Sequence, residues 1–133
     1  MATGTLATDA RKYHHDLIHY ASVPIAYTTA GVYKICKLPA GAAVINAGIV
    51  ITTAFAGGTP QTLDIGVTGD TADYASALVL TTKGVIKADD MATSTSSYQS
   101  ADTDAIATLS AGATPSAGAG FAYVVYMIAD RTP

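Results

Sequence analysis

Histidine is the residue type in this sequence best suited to metal binding or proton transfer, and its three copies lie close together at His14, His15 and His19. On a helix, His15 and His19 would share a face at the spacing of two metal ligands. The HExxH pattern of metalloproteases is absent, and Asp16 is the one acid beside the cluster. We therefore expect a solvated or interface role for these histidines and no bound metal.

Aspartate supplies all ten acidic residues of the chain. The Asp89–Asp90 pair, Asp102 and Asp104 offer the oxygen ligands that calcium prefers. Their segment lacks the glycine and the terminal bidentate acid of an EF-hand loop. Asp70 and Asp73 flank a turn, where aspartate usually accepts hydrogen bonds from local backbone. Turn and cap roles are therefore expected for these carboxylates in preference to a calcium site.

Nucleophilic catalysis has little support in the sequence. The single cysteine, Cys36, lies inside a predicted strand, where a buried and inert thiol is the usual case. No GxSxG motif is present, and the glycines at 112, 118 and 120 do not follow a strand and open a helix as a phosphate-binding loop requires. We expect no catalytic residues and no cofactor, so the protein is predicted not to be an enzyme.

The composition restricts the class of partner. Only 13% of the residues are charged, against about 25% in an average globular protein, and the net charge is −3. Nucleic-acid binding is not expected, because the seven Lys and Arg residues are scattered. The N-terminus lacks the order of a signal peptide and no apolar run reaches the roughly 20 residues of a membrane span, so we expect a soluble protein made in a cytoplasm. Low charge suits a protein that covers part of its exterior against copies of itself or a partner.

The elements that would position any site are predicted to be strands. The cleanest signal is the alternation of Thr62 to Val67, and Pro24 restricts its own strand to a sheet edge or breaks it. About eight strands with turns between them predict an all-β, single-domain antiparallel β-sandwich or jelly roll. The predicted strands span residues 18–28, 32–38, 43–55, 62–67, 74–80, 85–87, 104–109 and 121–129.

Two of these strands are apolar on both faces. In the long strand 43–55, Ile45, Ala47 and Ile49 are predicted to share one apolar face, and Gly48 marks a bulge or a close backbone approach. The closing strand, FAYVVYMIA, is equally two-sided. Such strands either lie at the centre of a sheet or contact a neighbour on the outside.

Two polar stretches show no pattern of internal packing. Residues 1–16 are predicted to form an N-terminal arm, with one helical turn near residues 9–17, ahead of a β-sandwich domain at 17–133. Residues 88–103 form a long polar loop, which is often functional or ordered by a partner. Partner contacts are therefore expected from the arm and the loop. The residues predicted to make them are Arg11, Lys12, Tyr13, His14, Ser94, Tyr98 and Gln99.

Tyrosine is the main aromatic residue, with eight copies. A tyrosine with a buried ring and a hydrated hydroxyl is favoured at protein interfaces and is also common in sandwich cores. An exposed row of tyrosines could instead stack against sugars, so a lectin-like function stays open.

The segments LPAGAAVINAGIVITTAFAGGTPQTLDIGVTGDTADY and SADTDAIATLSAGATPSAGAGFAYVVYMI resemble the head decoration, or cement, proteins of tailed bacteriophages. The matching features are the LPAG turn, the TAFAGGT hairpin, LDIG followed by TGD, and the closing pair DAIATLSAG and GAGFAYVVYMI. The resemblance covers most of the chain after about Val32 and excludes the arm.

This resemblance implies a jelly-roll virion protein without catalysis, often a homotrimer, bound to the exterior of the capsid. Its partners would be the major capsid protein and copies of itself, and it would stabilise the shell at junctions between capsomers. An alternative within the same resemblance is a jelly-roll module of a phage tail or fibre, which would bind a host glycan or another tail protein.

Overall fold

The computed structural model describes residues 18–57, 61–110, 112 and 114–128. The helical structure in this part of the chain is one 3-10 turn at Met91–Thr93. The described residues contain no helix that is long and apolar enough to cross a membrane. The eight strands are β1 (His19–Ala26), β2 (Gly31–Leu38), β3 (Ala42–Ala56), β4 (Thr62–Val67), β5 (Asp70–Val79), β6 (Gly84–Lys87), β7 (Thr103–Ser110) and β8 (Ala117–Ile128).

The strands form two four-stranded sheets with the orders β1-β8-β3-β6, here the front sheet, and β2-β7-β4-β5, here the back sheet. All the strand pairs are antiparallel. Apart from the β4–β5 hairpin, each strand lies in the other sheet from the strand before it, which is the jelly-roll arrangement of two interleaved Greek keys. The predicted all-β sandwich of about eight strands is confirmed. Residues 1–17 lie outside the described part of the chain, so the arm and its boundary stay predictions.

The core lies between the two sheets. Each sheet contributes branched aliphatic side chains to it, and complete burial of one such side chain stabilises a fold by roughly 1.5–3 kcal/mol. The largest of the completely covered aliphatic side chains are Ile25, Ile49, Ile51 and Val124 from the front sheet, Leu38, Leu63, Ile65 and Leu109 from the back sheet, and Leu80 just after β5.

A change of phase in β3 corrects one prediction. The register with β8 shifts between Val44 and Asn46, so an extra residue is inserted at Ile45. Val44 and Ala47 are buried, whereas Ile45 is 47% exposed. The prediction that Ile45 shares a face with Ala47 was therefore wrong. A bulge places two residues against one on the partner strand and reverses the alternation beyond it.

The two edge strands of the front sheet are β1 and β6. Pro24 lies in β1, which pairs with β8 on one side and forms the edge of the sheet, so the predicted edge position is confirmed. At the other edge, β6 is only four residues long and its last residue is Lys87. Short strands and lysines are both common devices against edge-to-edge pairing.

The closing strand β8 begins earlier than expected. It starts at Ala117, four residues before the predicted start at Phe121. A side chain at Gly118 would meet the Phe55 ring, and one at Gly120 would meet the backbone of Val50. The small residues therefore let β8 lie close against β3, but they lack the apolar alternation by which strands are recognised.

Gly48 confirms the expected close approach of backbones in β3. A β-carbon at this position would lie 2.8 Å from the Tyr123 hydroxyl and nearer still to the carbonyl oxygen of Ile86 in β6. The carbonyl belongs to a paired strand, so it can retreat only if the sheet itself moves.

We predict that Gly48→Ala lowers the free energy of unfolding by roughly 1–3 kcal/mol, because the added methyl group overpacks the β3–β6 contact. Urea denaturation at neutral pH measures this. Ser22→Ala is the matched control, since Ser22 is exposed and pairs with the same residue, Tyr123. An unchanged midpoint for Gly48→Ala would contradict the close approach.

Candidate interaction surface

Apolar side chains lie in register across the outer face of the front sheet. Pro24 of β1 pairs with Phe121 of β8, Phe121 with Val50 of β3, and Val50 with Val85 of β6. Paired residues of antiparallel strands place their side chains on the same face. Phe121 is 43% exposed and Val85 is 61% exposed. An uncharged row therefore crosses all four strands and faces outward.

The neighbouring row of paired residues contains a glycine, Gly48, which leaves room for the Tyr123 side chain to lie flat on the sheet. Tyr123 pairs with Ser22 on one side and with Gly48 on the other, and its hydroxyl lies where a side chain of residue 48 would begin. Tyr20 stacks against Tyr123, with ring centroids 5.9 Å apart and planes at 21°. Burial, and then the proximity of Tyr20, raises the pKa of Tyr123. Tyr123 is 6% exposed although it lies on the outer face, while Tyr20 is 63% exposed.

The polar loop reaches the same surface at its far end. Ala43 of β3 pairs with Met127 of β8 and, through an isolated bridge, with Tyr98 of the loop. Tyr98 is 47% exposed, and Ile18, which precedes β1, is 61% exposed. We name this surface the front face. It comprises Tyr20, Pro24, Val50, Val85, Phe121 and Val125, with Ile18 and Tyr98 at the rim.

The front face carries little charge. Among the described strand positions in register on it, Lys87 is the one charged residue, and it pairs with Gly48 at the β6 edge. The back sheet differs. Lys34 and Asp104 form an ion pair at 3.4 Å there, and Asp64 accepts a hydrogen bond of 2.7 Å from the Ala77 N–H. The apolar outer surface is therefore a property of one sheet of the sandwich.

Ser94 and Gln99, two of the predicted contact residues, belong to a loop fixed by internal hydrogen bonds. The Ser94 hydroxyl donates to the Asp73 carboxylate, and the side-chain amide of Gln99 donates to the Ser96 carbonyl. The Gln99 N–H donates to the Ala42 carbonyl at 2.8 Å, which ties the loop to β3. The anchoring to Asp73 and Ala42 was not predicted, because these two residues are distant from the loop in sequence. Partner contacts by Ser94, Tyr98 and Gln99 stay predictions.

Asp73 is the centre of this anchoring. Besides Ser94, its carboxylate accepts hydrogen bonds from the backbone N–H groups of Thr95 at 3.2 Å and Ser96 at 2.8 Å. Burial acts to raise the pKa of Asp73, but the hydrogen bonds outweigh it and hold the pKa below its usual range. The neighbouring Tyr74 hydroxyl donates to the Ser96 carbonyl at 2.7 Å, and burial raises the pKa of Tyr74 to about 12. Asp73 thus accepts backbone hydrogen bonds as expected of an aspartate at a turn, but the donors belong to a loop distant in sequence and not to its own turn.

Of the three clustered histidines, His19 is the one that the structure describes. His19 lies in β1 and stacks against Tyr126, with ring centroids 5.1 Å apart. The described residues contain no group of three or more His, Cys, Asp or Glu side chains arranged to hold a metal. The remaining arm residues named above, Arg11, Lys12, Tyr13, His14 and His15, lie outside the described residues.

A shallow groove of about 440 Å³ opens beside one end of the front face. Phe121 and Pro24 form one side of it, and none of the described residues that line it is charged. Two of its hydroxyls already donate to backbone carbonyls, Tyr33 to Thr29 and Thr52 to Ala119. The groove therefore offers an apolar wall with few polar groups left for a ligand.

No family model and no curated protein matches the sequence. In structure, the chain is similar to a chain in the acidic stable capsid structure of Helicobacter pylori bacteriophage KHP30, with a TM-score of 0.65, 18% identity, and coverage of 87% of this chain and 91% of that chain. It is also similar to a chain in the capsid asymmetric unit of cyanophage Pam1, with a TM-score of 0.64, 20% identity and 86% coverage of both chains. The fold implied by the resemblance to phage structural proteins is thus confirmed, since phage capsids contain chains of the same fold.

We predict that Asp73→Ala lowers the free energy of unfolding at pH 7 by roughly 1–3 kcal/mol, because several donors of the loop lose a charged acceptor. The pKa of Asp73 is depressed in the folded state, so its contribution is complete above about pH 4 and is lost as the pH falls below that. Urea titrations between pH 7 and pH 2 should show the difference from wild type narrowing in acid. Asp89→Ala serves as the control, because Asp89 is an exposed aspartate of the polar loop that Asp73 anchors. This variant should change the free energy of unfolding little. A constant difference across this range would contradict the assigned role.

Proposed function

We propose that this protein is a non-enzymatic structural protein of a tailed-phage virion, and specifically a decoration protein that binds the outer surface of the major capsid protein shell. The observation that carries the proposal is the jelly roll itself, which matches chains from two phage capsid structures over 87% and 86% of this chain. The sequence resemblance to head decoration proteins supports the same function.

The geometry supports attachment by buried area. The front face is apolar, nearly uncharged and flat, since Tyr123 lies over Gly48 and leaves no deep cleft. A standard protein interface buries about 1,600 Å² in total. Smaller contacts also suffice when they are repeated over a shell, because linked contacts reinforce one another and together oppose the pressure of packaged DNA.

Polar groups are used structurally in the described part of the chain, which supports a role without catalysis. Asp73 holds the loop, Asp64 accepts the Ala77 N–H, and Asp102 accepts the Ala40 N–H at 2.9 Å. Burial, and then the proximity of Asp104, raises the pKa of the half-buried Cys36 thiol. The raised pKa makes Cys36 a weak nucleophile, because the thiolate is the reactive form.

The alternative is a tail or fibre module that binds a host glycan. The observation in its favour is the pair of exposed aromatic rings, Tyr20 and Phe121, since aromatic faces stack against sugars. The groove beside Phe121 supplies few free polar groups, whereas ligand recognition uses placed hydrogen-bonding groups for specificity. Decoration of a shell fits this surface better.

In the direct test, the purified protein is mixed with phage heads that lack it, and bound protein is separated from free protein by sedimentation. Saturable binding, with heads more resistant to heat, is expected. Failure to bind heads, together with binding to a glycan array, would replace the proposal with the tail or fibre alternative.

We predict that removal of residues 1–16 leaves the β domain folded and weakens attachment to heads. The arm carries Arg11, Lys12, Tyr13 and His14, which we propose contact the shell or a neighbouring copy. Circular dichroism checks the fold and sedimentation with heads checks binding. Charge removal by Lys83→Ser, distant in sequence from the arm, should leave binding unchanged. Full-strength binding by the shortened protein would remove this role from the arm.

We also predict that the isolated protein is a homotrimer in solution. The low charge of the chain favours association with copies. Multi-angle light scattering at micromolar concentration should give three times the chain mass of 13.5 kDa. A monomer mass over the same concentration range would contradict the trimer.

A further inference from the structure

The front face is exposed over its whole width. Tyr20, Phe121 and Val85 come from three different strands, and they are 63%, 43% and 61% exposed. A contiguous apolar patch on a soluble protein marks an interaction surface more often than isolated exposed side chains do. We propose, resting on the function above, that the front face docks on the capsid shell protein, against a flat, apolar patch that places a carboxylate opposite Lys87.

The two edge strands of the front sheet disfavour pairing with a partner strand, so a partner is expected to contact the face of the sheet. An added strand needs a row of free backbone donors and acceptors at an edge. At the β1 edge, Pro24 has no N–H to donate. At the other edge, β6 is four residues long and is flanked by Lys83 and ends at Lys87. Both edges disfavour the addition of a strand, so a partner contacts this sheet through its face.

The size of the face decides between a second copy and a shell. Four strands about 4.8 Å apart, over about seven residues at 3.4 Å each, present roughly 400 Å². A stable pair of free proteins needs about 800 Å² on each partner. The front face alone is too small to hold a dimer. It suffices where linked copies place several such faces on one repeating surface, since each later contact forms at high effective concentration.

Charge restricts the chemistry of the shell patch. Lys87 is the one charged residue among the described strand positions in register on the face, and it lies at the β6 margin. Burial of an apolar centre tolerates no unpaired charge on the partner, whereas an ammonium group at the rim favours a carboxylate opposite it. The patch that fits is therefore apolar at its centre and acidic at one margin.

The rim links the face to the elements predicted from the sequence. Ile18, where the described chain begins, and Tyr98, from the polar loop, lie towards the same end of the front sheet, beside the β8 residues Tyr126 and Met127. Both are exposed. A partner seated on the front face would therefore also meet the loop residue Tyr98 and the point where the N-terminal segment joins the domain.

The test uses the full chain with Phe121→Asp and, in a separate variant, Val85→Asp. Val32→Asp is the matched control, because Val32 is 65% exposed on β2 of the back sheet. We expect both front-face variants to bind undecorated heads at least tenfold more weakly than wild type, with an unchanged circular dichroism spectrum and an unchanged solution mass. Val32→Asp should bind like wild type. Val85→Asp at the edge keeps the test decisive if Phe121→Asp fails to fold.

Charge reversal tests the acidic margin. Lys87→Glu should weaken binding to heads about tenfold, whereas Lys83→Glu, which precedes β6, should have a much smaller effect. Equal effects of the two reversals would overturn the carboxylate opposite Lys87.

The outcomes separate this inference from the proposed function. Wild-type binding with undiminished binding of Phe121→Asp and Val85→Asp would overturn the docking face and leave the decoration function intact. A lower solution mass in these variants would show that the face holds a second copy, which also overturns the proposal. Absence of wild-type binding would overturn the decoration function and, with it, the occupant proposed here.

Discussion

The antiparallel pairing of β3 with β8 at the centre of the front sheet is the contact on which the rest of the structure depends. It closes the sandwich on the inside, where Ile49 and Val124 are completely buried. It also brings Val50 and Phe121 into register on the outside. The same backbone ladder therefore supports the core and holds the apolar outer surface in a fixed, flat arrangement.

Small residues make this pairing possible. Gly120 lies against the Val50 carbonyl, and Gly48 provides the space that the Tyr123 ring covers. Larger side chains at these positions would separate the strands or roughen the outer face. The abundance of Gly and Ala in this chain, which conveys nothing about catalysis, thus has a structural reason in close strand packing.

The fold class could be predicted from the sequence, whereas the side chains on the outer face of the front sheet could be predicted only in part. Alternation over Thr62 to Val67 predicted β4 with its observed bounds. Pro24 predicted an edge strand or a broken one, and β1 is an unbroken edge strand. Two-sided apolarity of β8 indicated either a central strand or an outer contact, and the strand is central. The position of Ile45 was wrong because a bulge depends on the partner strand, which alternation within one strand does not reveal.

The interaction surface was missed for the same reason. Its row of Pro24, Phe121 and Val85 exists only once the registers of three strand pairs are known. The anchoring of Ser94 by Asp73 likewise joins residues 21 apart in sequence. Tyr98 was selected for its place in a loop without an internal pattern, and the structure places it at the rim of the front face.

A reconstruction by electron cryomicroscopy of heads incubated with the protein tests the central claim most directly. We expect added density on the outer surface of the shell, fitted by the jelly roll with β1, β8, β3 and β6 toward the shell. Density confined to the tail, or a jelly roll on the shell with this sheet turned to solvent, would contradict it.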